Sequence, residues 1–273
     1  MNWNQKTRSL LSSATGGRIA IREFERIFPQ LANQIRSDAN SSCFRHWGHS
    51  FNFDEHEQCS IVDRKILTLV GKLAKHSIRD GQRYHAGLIH TYGYLLSNLK
   101  TRYGYKRERW TNGLLGQALG IPDGTMLGKD KQSTLLQNAT FLMARVAFDN
   151  QRFAKVDKQL KSVSDDLRSL NLAKLSVERI EEKSSNNSPC LITDLVKFKK
   201  NSPLDYLLVY SFKFHKQQLL ITCFPTSKES ATELLRLSIQ DNEAIRPRYN
   251  LALPDFPEYA NKPTRKITRR KLR

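Results

Sequence analysis

The period of the apolar residues changes once along this chain, near Pro189, and no other feature constrains its fold as strongly. Upstream, apolar residues recur every three or four positions. Val62, Ile66, Leu69, Val70 and Leu73 form one stripe, Leu88, Tyr92, Leu95, Leu96 and Leu99 a second, and Leu135, Ala139, Leu142 and Val146 a third. Residues at that spacing share a helix face, so each stripe predicts a helix with one buried side. A fourth stripe, Val156, Leu160, Val163, Leu167 and Leu170, alternates steps of four and three, the seam of a short coiled coil. It predicts a packed amphipathic helix, or a homodimer contact, over residues 156–180. Lys174 takes the next seam position and ends the repeat.

Downstream the pattern is that of strands. "DYLLVYSFKF" and "QQLLITCF" are rich in aromatic and β-branched residues and flank a short polar turn, which predicts a β-hairpin. "SKESATELLRL" follows with a helix start at Thr226 and Glu229. The resulting expectation is an α+β chain. A helical region over 1–183 precedes a linker or exposed loop at 184–189, a small region at 190–260 built on an antiparallel hairpin and a helix, and a basic disordered tail at 261–273.

Charge narrows the class of partner. The 273 residues carry a formal charge of +19, and a basic excess of that size needs an acidic counterpart. The excess is uneven: Lys262 to Arg273 hold seven cations and no anion, whereas residues 201–261 hold six cations and seven anions. Concentration of this kind favours a polyanion, and the expected partner is nucleic acid. No apolar run approaches a membrane span, and the first residues lack the layout of a secretory signal. The four cysteines are scattered, without a CxxC pair. These features predict a cytoplasmic, nucleoid or nuclear protein that is not secreted.

The densest candidate contact is "NLKTRYGYKRERW", residues 98–110. Lys100, Arg102, Lys106, Arg107 and Arg109 are placed to neutralise phosphates, and Tyr103 and Tyr105 to stack on bases or sugars. The competing reading is a helix end, with Gly104 as breaker and Trp110 in the core; net charge tips the balance toward contact. The tail adds Arg265, Lys266, Arg269, Arg270 and Lys271 as an electrostatic arm. A helix-turn-helix outline also spans Thr111 to Gly128, weakened by the glycines of "DGTMLGKDKQ".

The alternative function is an intracellular enzyme with a site in residues 43–59, metal-dependent or not. Cys43, His46, His49, His56 and Cys59 are zinc-ligand types, but their spacing matches no common finger. A polar loop with Trp47, Phe51 and Phe53 packed inward accounts for the same letters, and no metal is expected. Asp205 and Lys213 supply a nuclease-like carboxylate and lysine, without the second carboxylate a magnesium site wants. Walker A, GxGxxG, GxSxG and HExxH patterns are absent, so no cofactor is expected.

Overall fold

The computed structural model describes residues 2–54, 57–76, 83–101, 104–111, 113–128, 132–170, 175–183, 189–198, 204, 206–236 and 264–272. The architecture is mixed α+β. Helices α1 (Trp3–Ser12), α2 (Ile21–Ile27) and α3 (Pro29–Ala39) lead into a short strand β1 (His49–Phe51) and helix α4 (Arg64–Leu73). Strand β2 (Arg83–His85) pairs with β1 and runs into a π-helical turn over Leu88–Gly93. A two-residue ladder, β3 (Lys100–Thr101) with β4 (Gly104–Tyr105), precedes α5 (Glu108–Thr111) and α6 (Leu114–Leu119). Helices α7 (Leu135–Ala147), α8 (Asn150–Gln159) and α9 (Asp165–Arg168) complete the helical part.

Local chemistry starts each of the longer helices. Asn2 and Gln5 form a reciprocal capping box on α1, and Pro29 opens α3, where a missing N–H costs nothing. Asp63, Thr134 and Asp149 each accept a backbone N–H at the starts of α4, α7 and α8. Helix α7 is the hub, buried on nearly every side and packed against the sheet. Its polar residues bind neighbouring elements: Asn138 Nδ2 donates to Thr125 O at 2.8 Å, and Gln137 Nε2 donates to Asp38 Oδ1 of α3 at 2.9 Å.

Those same side chains break the fourth predicted stripe. Gln137 Oε1 accepts the Ser162 N–H and Asn138 Oδ1 the Ser164 N–H, which pulls the chain off helical geometry after Leu160. The expected helix over 156–180 is therefore α8, a break, α9 and the beginning of a strand. Val156, Leu160, Val163 and Leu167 are buried in the chain's own core, so among the described residues these positions form no exposed seam.

The sheet is larger than the hairpin expected. Strands β5 (Ser176–Lys183), β6 (Cys190–Lys197), β7 (Tyr206–Phe214), β8 (Gln217–Thr226) and β9 (Thr264–Lys271) form one antiparallel sheet in the order β8-β7-β6-β5-β9. The predicted hairpin is β7–β8, turning at His215 and Lys216, and helix α10 (Lys228–Arg236) follows with Ser227 as its cap. The tail read as disordered is the edge strand β9, paired with β5 from Ser176↔Lys271 to Lys183↔Thr264. Arg269 finds Glu178 across the ladder and Arg270 approaches Asp194 on β6, which a local reading of "TRKITRRK" cannot reveal. Strand β5 belongs to the sheet, whereas the sequence pattern places its residues in the helical region. Linker residues 184–188 and residues 237–263 lie outside the described residues.

Helices and sheet share one core. Gly48 donates its N–H to Leu220 O at 2.9 Å, and a Cβ there would sit 2.5 Å from the Phe212 ring, so only glycine permits this approach. The last carbonyls of α7 meet the opposite sheet face. Arg179 and Gln218 donate to Ala147 O and Arg270 to Val146 O, satisfying a helix end that favours positive charge. Among the described residues, no helix is long and apolar enough to cross a membrane.

Candidate nucleic-acid interface

Residues 98–110 form a small hairpin followed by a single helical turn. Gly104 has φ +98°, and a Cβ on it would lie 2.3 Å from the Glu108 carboxylate, which accepts the Tyr105 N–H at 2.8 Å. Three cations of this stretch, Lys106, Arg107 and Arg109, turn inward. Arg107 is buried, donates to Ser97 O at 2.9 Å, Asn98 Oδ1 at 3.0 Å and Asn4 Oδ1, and covers the Tyr105 ring at 4.4 Å. Lys106 pairs with the buried Asp54 at 2.6 Å. Arg109 donates to Thr222 Oγ1 at 2.8 Å, with the Tyr94 ring at 4.5 Å and the Phe224 ring at 5.3 Å.

The stretch thus braces α1, the loop before α4 and strand β8 against one another. Lys100 is exposed, and Arg102 and Tyr103 lie outside the described residues. Trp110 is 5% exposed and gives its indole N–H to His90 O at 2.9 Å. That carbonyl belongs to the π-helical turn, where widening loosens the regular i→i−4 ladder. Trp110→Ala is expected to cost about 3–5 kcal/mol, as large aromatics in cores do. Arg107→Gln is expected to cost about 1–3 kcal/mol through the acceptors left unpaired. Urea midpoints measure both. Neither variant should alter the salt dependence of any polyanion binding, and a flattened dependence for Arg107→Gln would return that side chain to the contact surface.

The tail's cations divide between two roles. Arg270 points into the fold, with Nη2 3.7 Å from the fully buried Asp194 carboxylate. Lys266, Arg269 and Lys271 are exposed on the edge strand. Arg269 reaches Glu178 on β5 at 2.7 Å while its side chain stays 82% exposed. Arg265 is in register with Glu182. Strand β9 as a whole holds five basic residues and no acid.

Two charged features escaped the sequence reading. Asp194 meets Arg179 through two parallel bonds, Nε–Oδ1 at 2.8 Å and Nη2–Oδ2 at 2.9 Å. Burial raises the Asp194 carboxyl, and the bonds and charge of Arg179, with Arg270, oppose that rise. Asp38 accepts from Tyr92, Thr134 and Gln137, and burial still raises its pKa to about 6. An aspartate inside "CLITDLVK" was the available signal for the first, since a charge at a buried strand position demands a partner.

The 43–59 segment disperses its ligand types. Cys43 is buried 2.8 Å from Thr140 Oγ1, and burial pushes its thiol well above the usual range. His46 bonds Gln159 at 3.1 Å. His49 faces His85 across β1–β2, with ring centroids 5.8 Å apart. His85 is engaged at both nitrogens: Nε2 bonds Phe44 O at 3.0 Å and Nδ1 accepts the Gly87 N–H at 3.2 Å. Trp47 is buried, and Phe51 and Phe53 are half-buried. Among the described residues, no three His, Cys, Asp or Glu side chains are grouped to hold a metal ion. His56 and Asp205 lie outside the described residues. The helix-turn-helix outline resolves into α6 and a three-residue 3-10 turn over Thr125–Leu127, too short to enter a groove. No protein-family model, curated protein or solved structure matches this chain.

Proposed function

We propose that this protein binds nucleic acid, through the basic edge of its sheet rather than through residues 98–110. The observation that carries the reading is the clustering of exposed Lys266, Arg269 and Lys271 on one strand of a chain with a net charge of +19. Each cation that meets a phosphate releases a condensed counterion, so binding driven this way weakens linearly on a log-log salt plot, by about 0.9 per phosphate on a duplex. Three such contacts give a slope near −2.7, and further basic residues make it steeper.

Two measurements test this. The ultraviolet absorbance ratio of the purified protein should fall after a high-salt wash, as co-purified nucleic acid is removed. Binding to labelled DNA and RNA across a salt series should give the stated slope or a steeper one. Absence of binding to either polymer at low ionic strength would end the reading. The 43–59 segment, with its ligand types apart, gives no comparable support to an enzyme.

A further inference from the structure

The structure carries an inference about how such a partner is held, and it rests on the nucleic-acid reading above. We propose that the ligand is a double-stranded nucleic acid gripped by its phosphate backbone along strand β9, with no base stacked on the protein and no sequence read.

The first argument is the state of the aromatic side chains. Proteins that hold single strands combine a basic groove with aromatic platforms on which successive bases lie. Among the described residues here, no Phe, Tyr or Trp side chain is exposed. Tyr105, half-buried, carries the Arg107 guanidinium on its ring. Tyr94 is buried with His90, Lys106 and Arg109 against it. Trp110 is in the core. The stacking chemistry suggested by "NLKTRYGYKRERW" is therefore spent inside the fold, at every position of that stretch that is described.

The second argument is the geometry of the cations. Strand β9 holds five basic residues and no acid among its eight. Edge strands carry charged side chains, lysine above all, to discourage pairing with another chain, and the same cations are free to meet a polyanion. From Lys266 to Lys271 the strand rises about 17 Å at its usual 3.3–3.4 Å per residue. Along the axis this length covers about five phosphates of one strand of B-form DNA, but that is half a helical turn, so about two or three of them face the strand at once. Side chains alternate across the sheet, which lets Lys266 and Lys271 reach to either side of one backbone.

The third argument is rigidity. Strand β9 is tied along its length to β5, Arg270 is bonded to the end of α7, and Leu272 is buried with its N–H on Leu175 O at 3.2 Å. Cations on a fixed line suit the regular phosphate spacing of a duplex. Cations held on phosphates leave the base edges untouched, and apart from Thr268 the only uncharged side chain between Lys266 and Lys271 is Ile267, 49% exposed. Contacts of this class position a ligand without specifying its sequence.

The test uses the full chain, labelled 20-base-pair duplexes of two unrelated sequences, and the matching single strands, read by fluorescence anisotropy across salt. The parent should bind both duplexes alike and more tightly than either single strand. Lys266→Gln with Lys271→Gln should lower the salt slope by about 1.8 and weaken duplex binding about 60-fold at 0.1 M salt, by the counterion relation. Its melting temperature should match the parent's, since both side chains are exposed. Failure of the parent to bind any nucleic acid removes the functional reading itself. Duplex binding with an unchanged slope in the double variant leaves that reading standing and removes β9 as the contact. Single strands bound tenfold more tightly than duplexes, or a tenfold preference between the two sequences, overturns backbone-only recognition.

Discussion

Asp194→Ala is expected to cost about 3–5 kcal/mol of folding stability, the penalty for leaving a buried charge without its partner. Asp194 is fully buried, and the side chain of Arg179 is only 15% exposed. Burial alone would disfavour the Arg179 charge, but the hydrogen bonds and charge of Asp194 outweigh it and raise the guanidinium's pKa. Without the carboxylate, two guanidinium groups would face one another across the sheet, Arg179 on β5 and Arg270 on β9. Both would keep their bonds to the α7 carbonyls, so the damage should centre on the β5–β6–β9 side.

A double replacement separates loss of charge from loss of packing. Arg179→Met with Asp194→Leu removes both charges and fills the same space, and buried pairs exchanged for apolar residues are often neutral in stability. The double variant should therefore recover much of what Asp194→Ala loses. Urea midpoints with unchanged slopes give the comparison. A cost below about 1 kcal/mol for Asp194→Ala would mean that water reaches this pair and that it contributes as surface pairs do.

The same residues show where sequence reading stops. Helix α7 and the hairpin β7–β8 were legible because their patterns are local: four apolar residues at helical spacing, and two aromatic-rich runs around a polar turn. Strand β5, "SVERIEEK", was not, because its alternation is carried by charged residues. Arg179 turns to Asp194, fifteen residues on, and Glu178 to Arg269, ninety-one residues on. Strand β9 reads as a disordered cationic arm until those partners are in place. The 156–170 seam failed for a related reason, since Gln137 and Asn138 take the backbone bonds that would have continued the helix. In the candidate interface, composition revealed the excess charge but not its division. Arg107, Lys106 and Arg109 sit within a few residues of exposed Lys100, and only tertiary contacts distinguish a brace from a free cation.

Acidification below about pH 6.5 is expected to destabilise the fold, and Asp38→Asn should steepen that loss by about 1.4 kcal/mol per pH unit between about pH 4 and 6. Burial, with His76 and His49 nearby, lowers the His85 pKa to about 3 against the pull of its bond to Phe44 O. Above pH 6.5 this imidazole is neutral whether the chain is folded or not. Between 6.5 and 3 the unfolded chain binds a proton that the folded one excludes, so stability present above that window drains away through it. His46, His76 and His90, also lowered by burial, act in the same direction. Asp38 acts in the opposite one. Its pKa rises from 3.8 to about 6 on folding, so between those values the folded chain holds the extra proton and gains stability as the pH falls. Asp194, raised by burial, has the same sign. Asparagine at position 38 cannot titrate, and that offset disappears. Its Oδ1 can keep the donors Thr134 and Gln137, and its amide can donate to the Tyr92 hydroxyl in place of the bond now received. At pH 7 the variant avoids burying a carboxylate and should be more stable than the parent, by up to about 3 kcal/mol. The two stability curves should then converge as the pH approaches 4, and urea midpoints at unit intervals from pH 7 to 4 would trace them. Curves that stay parallel across that range would show that Asp38 is ionised throughout it, held so by its three donors despite its burial.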